Sequence, residues 1–279
     1  MRKDWSLDIS QLVIRGWQSG PEHGPIILAS HGWLDSADSF VPIAEAAPDL
    51  RIIAFDWPGH GLSDHLSSDA NYHFVDWVDV LYQIVLSLNS PVILLGHSLG
   101  ALASSVYAGC FPEHVRGLVM IEGFGPISAD PEESIGLMRK SLRSRAKLRN
   151  KNNTSYVNVE DAIKARMTAS PDLTIESARL ISERSLVSCE HGVQWRYDPR
   201  VKSFSPLRMS EAQARTYLKA IECPTLVVIG SSGYPELETI LKMRAGLIHK
   251  LKLKELSGGH HVHMDDAKNL VEWMKLELF

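Results

Sequence analysis

A four-residue apolar run, Val92-Ile93-Leu94-Leu95, follows Pro91 and stops at Gly96. A segment that short and that apolar suits a strand buried on both faces of a parallel sheet. It leads into Gly96-His97-Ser98-Leu99-Gly100, after which Ala101 to Cys110, rich in small residues, can continue as a helix. The two glycines flank Ser98, where a strand reversing sharply into a helix favours minimal side chains two residues to either side. Such a turn lifts the Ser98 hydroxyl above the sheet, at a helix end that favours developing negative charge. A serine that only caps the helix is the plainer alternative. The flanking glycines and the buried strand favour a nucleophile, which at neutral pH needs a neighbouring base.

One such strand requires others beside it. Pro25 to Ala29, Arg51 to Phe55, Leu118 to Ile121 and Pro224 to Gly230 have the same buried character, and Lys250 to Leu256 reads as a last strand. Helical spacing appears at Phe74, Val78, Leu81, Val85 and Leu88, with further helices expected over Asp38 to Ala47, Glu236 to Leu247 and Asp265 to Leu276. Trp5 to Trp17 alternates loosely and reads as one or two edge strands. Strands alternating with helices imply an α/β fold with a mostly parallel sheet and right-handed crossovers. From about Gly125 to Ile221 the pattern changes to charged, helical segments without a buried-strand run. The expected organisation is a core of residues 1–124 and 222–279 carrying a helical insertion, 125–221.

A chain of 279 residues with 44% hydrophobic content can bury one large core. Its formal net charge of −4 points to neither nucleic acid nor an anionic membrane. The basic run Arg139, Lys140, Arg143, Arg145, Lys147, Arg149 and Lys151 reads as a solvated helix face. The three cysteines, Cys110, Cys189 and Cys223, have no metal-like spacing, so no metal is expected from them. Their odd number suits a reducing compartment, with Cys110 and Cys223 packed as small apolar residues. No signal-like or membrane-spanning run is visible, so the expectation is a soluble, cytoplasmic protein without a membrane anchor.

Four pieces in order carry a resemblance: His31-Gly32-Trp33-Leu34-Asp35, Asp56-Trp57-Pro58-Gly59-His60-Gly61-Leu62-Ser63, the Ser98 pentapeptide, and Gly259-His260-His261-Val262-His263-Met264. With these the chain resembles the α/β-hydrolases, and among them is similar to the serine hydrolase-like proteins. The resemblance implies Ser98 as nucleophile, His260 as base in preference to His261 or His263, and a lid over the site. The family also places oxyanion N–H groups at the positions of Leu99 and Trp33, but the resemblance does not identify the substrate; the favoured reading of the four ordered motifs is a cofactor-independent serine hydrolase acting on a small-molecule carboxylic ester or thioester. Carbon–carbon bond hydrolases, lyases and perhydrolases share this fold.

The acid departs from the usual pattern, because Ser231-Ser232-Gly233-Tyr234, where a carboxylate is common, contains none. A binding protein that has lost catalysis is one reading of that gap. Glu122, ending the preceding strand as the acid does in some haloalkane dehalogenases, is a replacement on a rigid mount. Glu236 and Glu238 are the others, although after Pro235 they also suit a first helical turn. Asp35, Asp56 and His60 are expected to fix loops, His97 to pack behind the turn, and Arg200 to shape the return of the insertion, with a substrate carboxylate as its other possible partner.

Overall fold

The structure is a computed structural model describing residues 2–279. Strands β1 (Lys3–Ile9) and β2 (Leu12–Ser19) pair antiparallel, and then come β3 (Ile26–Ser30), helix α1 (Val41–Ala46) and β4 (Arg51–Phe55). Next are α2 (Phe74–Ser87), β5 (Val92–His97), α3 (Leu99–Cys110) and β6 (Val115–Ile121). The chain then leaves the sheet and returns as β10 (Thr225–Gly230), α8 (Pro235–Arg244), β11 (Leu251–Leu256), α9 (Val262–Asp265) and α10 (Ala267–Leu278). The eight strands lie in the order β1-β2-β4-β3-β5-β6-β10-β11, parallel from β4 to β11. This is the α/β architecture that the alternating pattern implies.

The apolar run of β5 is explained by its two faces. Val92 and Leu94 point into a core shared with α2 and α3, while Ile93 and Leu95 join a second core containing residues of α1 and α10. With helices on both faces every position is apolar, so the strand shows no period of two. The outer β11 is exposed at Lys252, Leu253 and Glu255 and partly buried at Lys254, so an edge position accommodates its charged residues. Gly96 and Gly100 allow the tight corner after β5: a Cβ on Gly96 would lie 2.5 Å from the Gly100 carbonyl, and one on Gly100 2.0 Å from the Ser30 carbonyl oxygen.

The excursion between β6 and β10 contains α4 (Ser134–Leu148), β7 (Ser155–Tyr156), α5 (Val159–Ala169), α6 (Ile175–Arg184), β8 (Leu186–Cys189), β9 (Gly192–Trp195) and α7 (Glu211–Lys219). The expectation of an all-helical insertion is corrected here, because β7, β9 and β8 form a separate antiparallel sheet. Its strands have two to four residues, too few to print a buried run in the sequence. Arg139, Lys140, Arg143 and Lys147 are exposed along α4, with Arg149 and Lys151 just beyond it, as a solvated face requires. Arg145 instead turns inward to the His73 ring at 3.3 Å. Cys223 is buried as expected, but Cys110 is exposed: it is the last residue of α3, beyond the buried Tyr107 and Ala108. Among the described residues no helix is long and apolar enough to cross a membrane.

Leu94 is fully buried between close-packed layers. Leu94→Ala is therefore expected to cost about 2–5 kcal/mol in urea unfolding. Leu253→Ala, on the exposed edge, should stay within about 0.5 kcal/mol of the parent.

Candidate active site

Ser98 has φ 49° and ψ −114°, a sparsely populated conformation for a residue with a side chain. Its N–H donates to the Ile121 carbonyl at 2.8 Å, which fastens the corner to the end of β6. The hydroxyl does not cap α3, so the plainer reading of this serine fails. Leu99 opens α3, whose first N–H groups have no intrahelical acceptor.

Glu122 follows β6 immediately and also has a left-handed backbone, φ 48°. Its side chain is buried, and its oxygens accept three hydrogen bonds: from Gly230 N at 2.8 Å, from Tyr234 N at 3.1 Å and from His260 Nδ1 at 3.1 Å. Two of these donors, Gly230 at the end of β10 and Tyr234, bracket the loop 231–233, which has no carboxylate of its own. A Cβ on Gly233 would lie 2.2 Å from Glu122 Oε1. The glycine at 233 and the carboxylate at 122 are therefore one arrangement: the acid group occupies the space from the neighbouring strand. Glu238 instead pairs with Lys242 at 2.7 Å on the surface, and Glu236 is exposed in the first turn of α8.

His260 is held at its main chain as well. Its carbonyl accepts from His97 Nε2 at 2.8 Å, and its N–H donates to Asp172 Oδ2 at 2.8 Å. With a carboxylate on Nδ1, that ring nitrogen carries the proton, and Nε2 is the nitrogen with a free lone pair. The Tyr234 ring lies against the imidazole, centroids 4.1 Å apart.

The loop after β3 is fixed by His31. Its Nδ1 meets the Gly32 carbonyl at 2.7 Å and its Nε2 accepts from Trp57 N at 3.1 Å, which assigns the neutral tautomer. Burial agrees, lowering this imidazole to about 4. Trp33 is half exposed, and its indole N–H donates to the Val201 carbonyl at 2.9 Å, so the ring ties the loop to the insertion.

Behind these groups lies a buried polar cluster. His261 Nε2 stands 3.2 Å from Asp35 Oδ2, and Arg166, reaching in from α5, contacts Asp35 Oδ1 at 2.6 Å. Burial would lower His261, but Asp35 and Asp172 outweigh it and raise this imidazole to about 9. Burial likewise would raise Asp35, yet His261 and Arg166 hold it well below the usual carboxylate range. His97 is lowered to about 4 by burial. His263, enclosed beside Phe40 and His97, is also lowered by burial, and it packs without a hydrogen bond.

Asp172 and Arg166 were not identifiable from the sequence. Asp172 lies 88 residues before the His260 that it holds and Arg166 131 residues after the Asp35 that it pairs with, both inside the insertion, and no local motif marks them. The loop-fixing residues behave as expected: Asp56 accepts from Ala37 N and Leu62 N, and it pairs with Arg184 at 2.8 Å. Arg200 is consumed by Asp198 and by the carbonyls of Leu66, Ser67 and Ala70, so it faces no substrate.

A family model described as alpha/beta hydrolase fold matches residues 25–267. A serine hydrolase-like protein of Dictyostelium discoideum is 28% identical over 283 residues, covering 94% of this chain and 78% of that protein. A crystal structure of a hypothetical protein from Pseudomonas aeruginosa superposes with a TM-score of 0.90 at 31% identity, covering 96% of each chain. A thioesterase domain from the curacin biosynthetic pathway gives 0.84 at 25% identity, covering 99% of each.

Filling the space at position 233 should cost stability. Gly233→Ala is expected to lose about 1–3 kcal/mol in thermal or urea unfolding, because the new methyl displaces the Glu122 carboxylate. Gly246→Ala, whose added carbon meets nothing within 4 Å, should be close to neutral.

Proposed function

Because the chain belongs to the alpha/beta hydrolase fold family, we propose that it is a serine hydrolase that cleaves a carboxylic ester or thioester through an acyl-enzyme on Ser98. The observation that carries the reading is the Glu122 carboxylate on His260 Nδ1 at 3.1 Å, at a strand end beside the Ser98 corner. Similarity to serine hydrolase-like proteins and to a thioesterase domain supports it.

In this mechanism Ser98 Oγ attacks the carbonyl carbon while His260 Nε2 takes its proton. Glu122 keeps the imidazole in the tautomer that leaves Nε2 free, and it stabilises the protonated ring. The N–H groups of Leu99 and Trp33 receive the developing oxyanion; loss of one such donor typically costs about 10²–10³ in kcat. Collapse of the tetrahedral intermediate breaks the bond to the alcohol or thiol, and His260 returns its proton to that leaving group. Water then attacks the acyl group with His260 again as base, releasing the acid and restoring the Ser98 hydroxyl. The insertion, tied to the site through Trp33, Arg166 and Asp172, serves as the lid and lines the acyl pocket.

The gap at 231–234 is the ground for the alternative of a binding protein without catalysis, and the Glu122 carboxylate on His260 supports the catalytic reading instead. The direct experiment is a fluorophosphonate probe together with short p-nitrophenyl esters. The parent should be labelled and active, while Ser98→Ala should be unlabelled and lose up to about 10⁶ in kcat. Unchanged turnover in Ser98→Ala would refute the proposal.

Glu122→Gln is expected to lower kcat by about 10⁴. Glu236→Gln and Glu238→Gln should remain near the parent. Steady-state kinetics on one ester separates the three.

A further inference from the structure

Three donor atoms that no single motif contains converge behind the His260 loop. They are Asp35 Oδ2, His97 Nδ1 and His261 Nε2, all within 4.8 Å of one another and all on buried residues. Their burial and pairing have an unresolved feature. His97 Nε2 faces the His260 carbonyl at 2.8 Å and so carries that ring's proton, which leaves Nδ1 as a bare lone pair. Nδ1 is fully buried without a hydrogen-bond partner, yet it lies 3.3 Å from Asp35 Oδ2. Two electron-rich atoms therefore face each other in a dry site, an arrangement that a cation between them would relieve.

We propose that Asp35, His97 and His261 form a binding site for a divalent transition metal ion of the zinc type, separate from the proposed Ser98–His260 chemistry. The two spacings from Asp35 suit it. An ion bound tetrahedrally at about 2.0–2.1 Å sets its ligand atoms roughly 3.3–3.4 Å apart. Oδ2 is 3.3 Å from His97 Nδ1 and 3.2 Å from His261 Nε2. Two imidazoles and one carboxylate leave a fourth position for water or another small ligand.

For His97 and Asp35 the outer contacts are those that metal ligands ordinarily have. His97 gives its other N–H to a backbone carbonyl, and Asp35 keeps Oδ1 on Arg166 at 2.6 Å, which leaves Oδ2 for the ion. His261 directs Nδ1 toward Asp172 Oδ2 at 3.7 Å. Gly32 leaves the space open: a Cβ there would stand 2.8 Å from His97 Nδ1 and 2.9 Å from Asp35 Oδ2. On binding, His261 coordinates as the neutral ring and its proton passes to solvent. The ion would then link the loop after β3, the Ser98 corner and the His260 loop.

Calorimetric titration of the metal-stripped 279-residue protein with Zn2+ tests this. The parent should bind one equivalent, and a hundredfold excess over Kd should raise its melting temperature by roughly 5 °C or more. Asp35→Asn and His261→Gln should each weaken binding at least tenfold and abolish the thermal shift. The surface variant His191→Gln should bind like the parent. Absence of binding by the parent, or equal binding by the Asp35 and His261 variants, overturns the site. If those variants fail to fold, parent crystals grown with one equivalent of Zn2+ decide the matter. An anomalous peak at the zinc edge among Asp35, His97 and His261 supports the proposal, and its absence there overturns it.

Discussion

One buried carboxylate joins the parts of this molecule that have to meet. Glu122 stands between β5 and β10, where the centre of the sheet ends, and its two oxygens gather N–H groups from Gly230, Tyr234 and His260. A charged group taken out of water is tolerated when several donors replace its solvation, and hydrogen bonds to a charge are the stronger kind. The same three bonds close the loop after β10 over the sheet and bring the histidine loop, from beyond β11, to the centre. Without that carboxylate the two backbone donors would lose their acceptor and the imidazole its partner.

A second set of contacts fixes the peptide that bears the imidazole. His97, adjacent to Ser98, holds the His260 carbonyl, and Asp172, in the insertion, holds its N–H. Asp35 extends the network to the loop after β3, and Arg166 brings a second insertion residue into it. A side chain whose main chain is held on both sides has few alternative positions, which is what an oriented base requires. The insertion is thus part of the support of the candidate site.

Much of this was legible in the sequence. The buried strands declared themselves because β3, β5, β6 and β10 are covered on both faces, and the Ser98 corner because its glycines have a steric cause. Glu122 was legible as a strand-end carboxylate opposite a loop that lacked one. The small sheet in the insertion was not, since two-residue and four-residue strands carry no periodicity. The exposure of Cys110 was missed because helix register decides it, and composition does not. Asp172 and Arg166 were beyond reach for another reason: their roles depend on where a distant segment comes to rest. The His260-His261-Val262-His263 cluster did signal unusual chemistry, but only the coordinates assign three environments to it, with His260 on Glu122, His261 on Asp35 and His263 packed dry.

Ser98 and Glu122 both hold φ near +49°, a region that residues with side chains enter at a cost of about 1–3 kcal/mol each. Glycine adopts this backbone without that penalty. At Glu122 the loss of three hydrogen bonds would outweigh that relief, but a laboratory lineage selected for heat resistance alone would be drawn toward glycine at Ser98, where the proposed chemistry cannot accept it. Robustness and turnover compete at that corner, and breeding this protein for industrial temperatures would require both traits to be scored in every round.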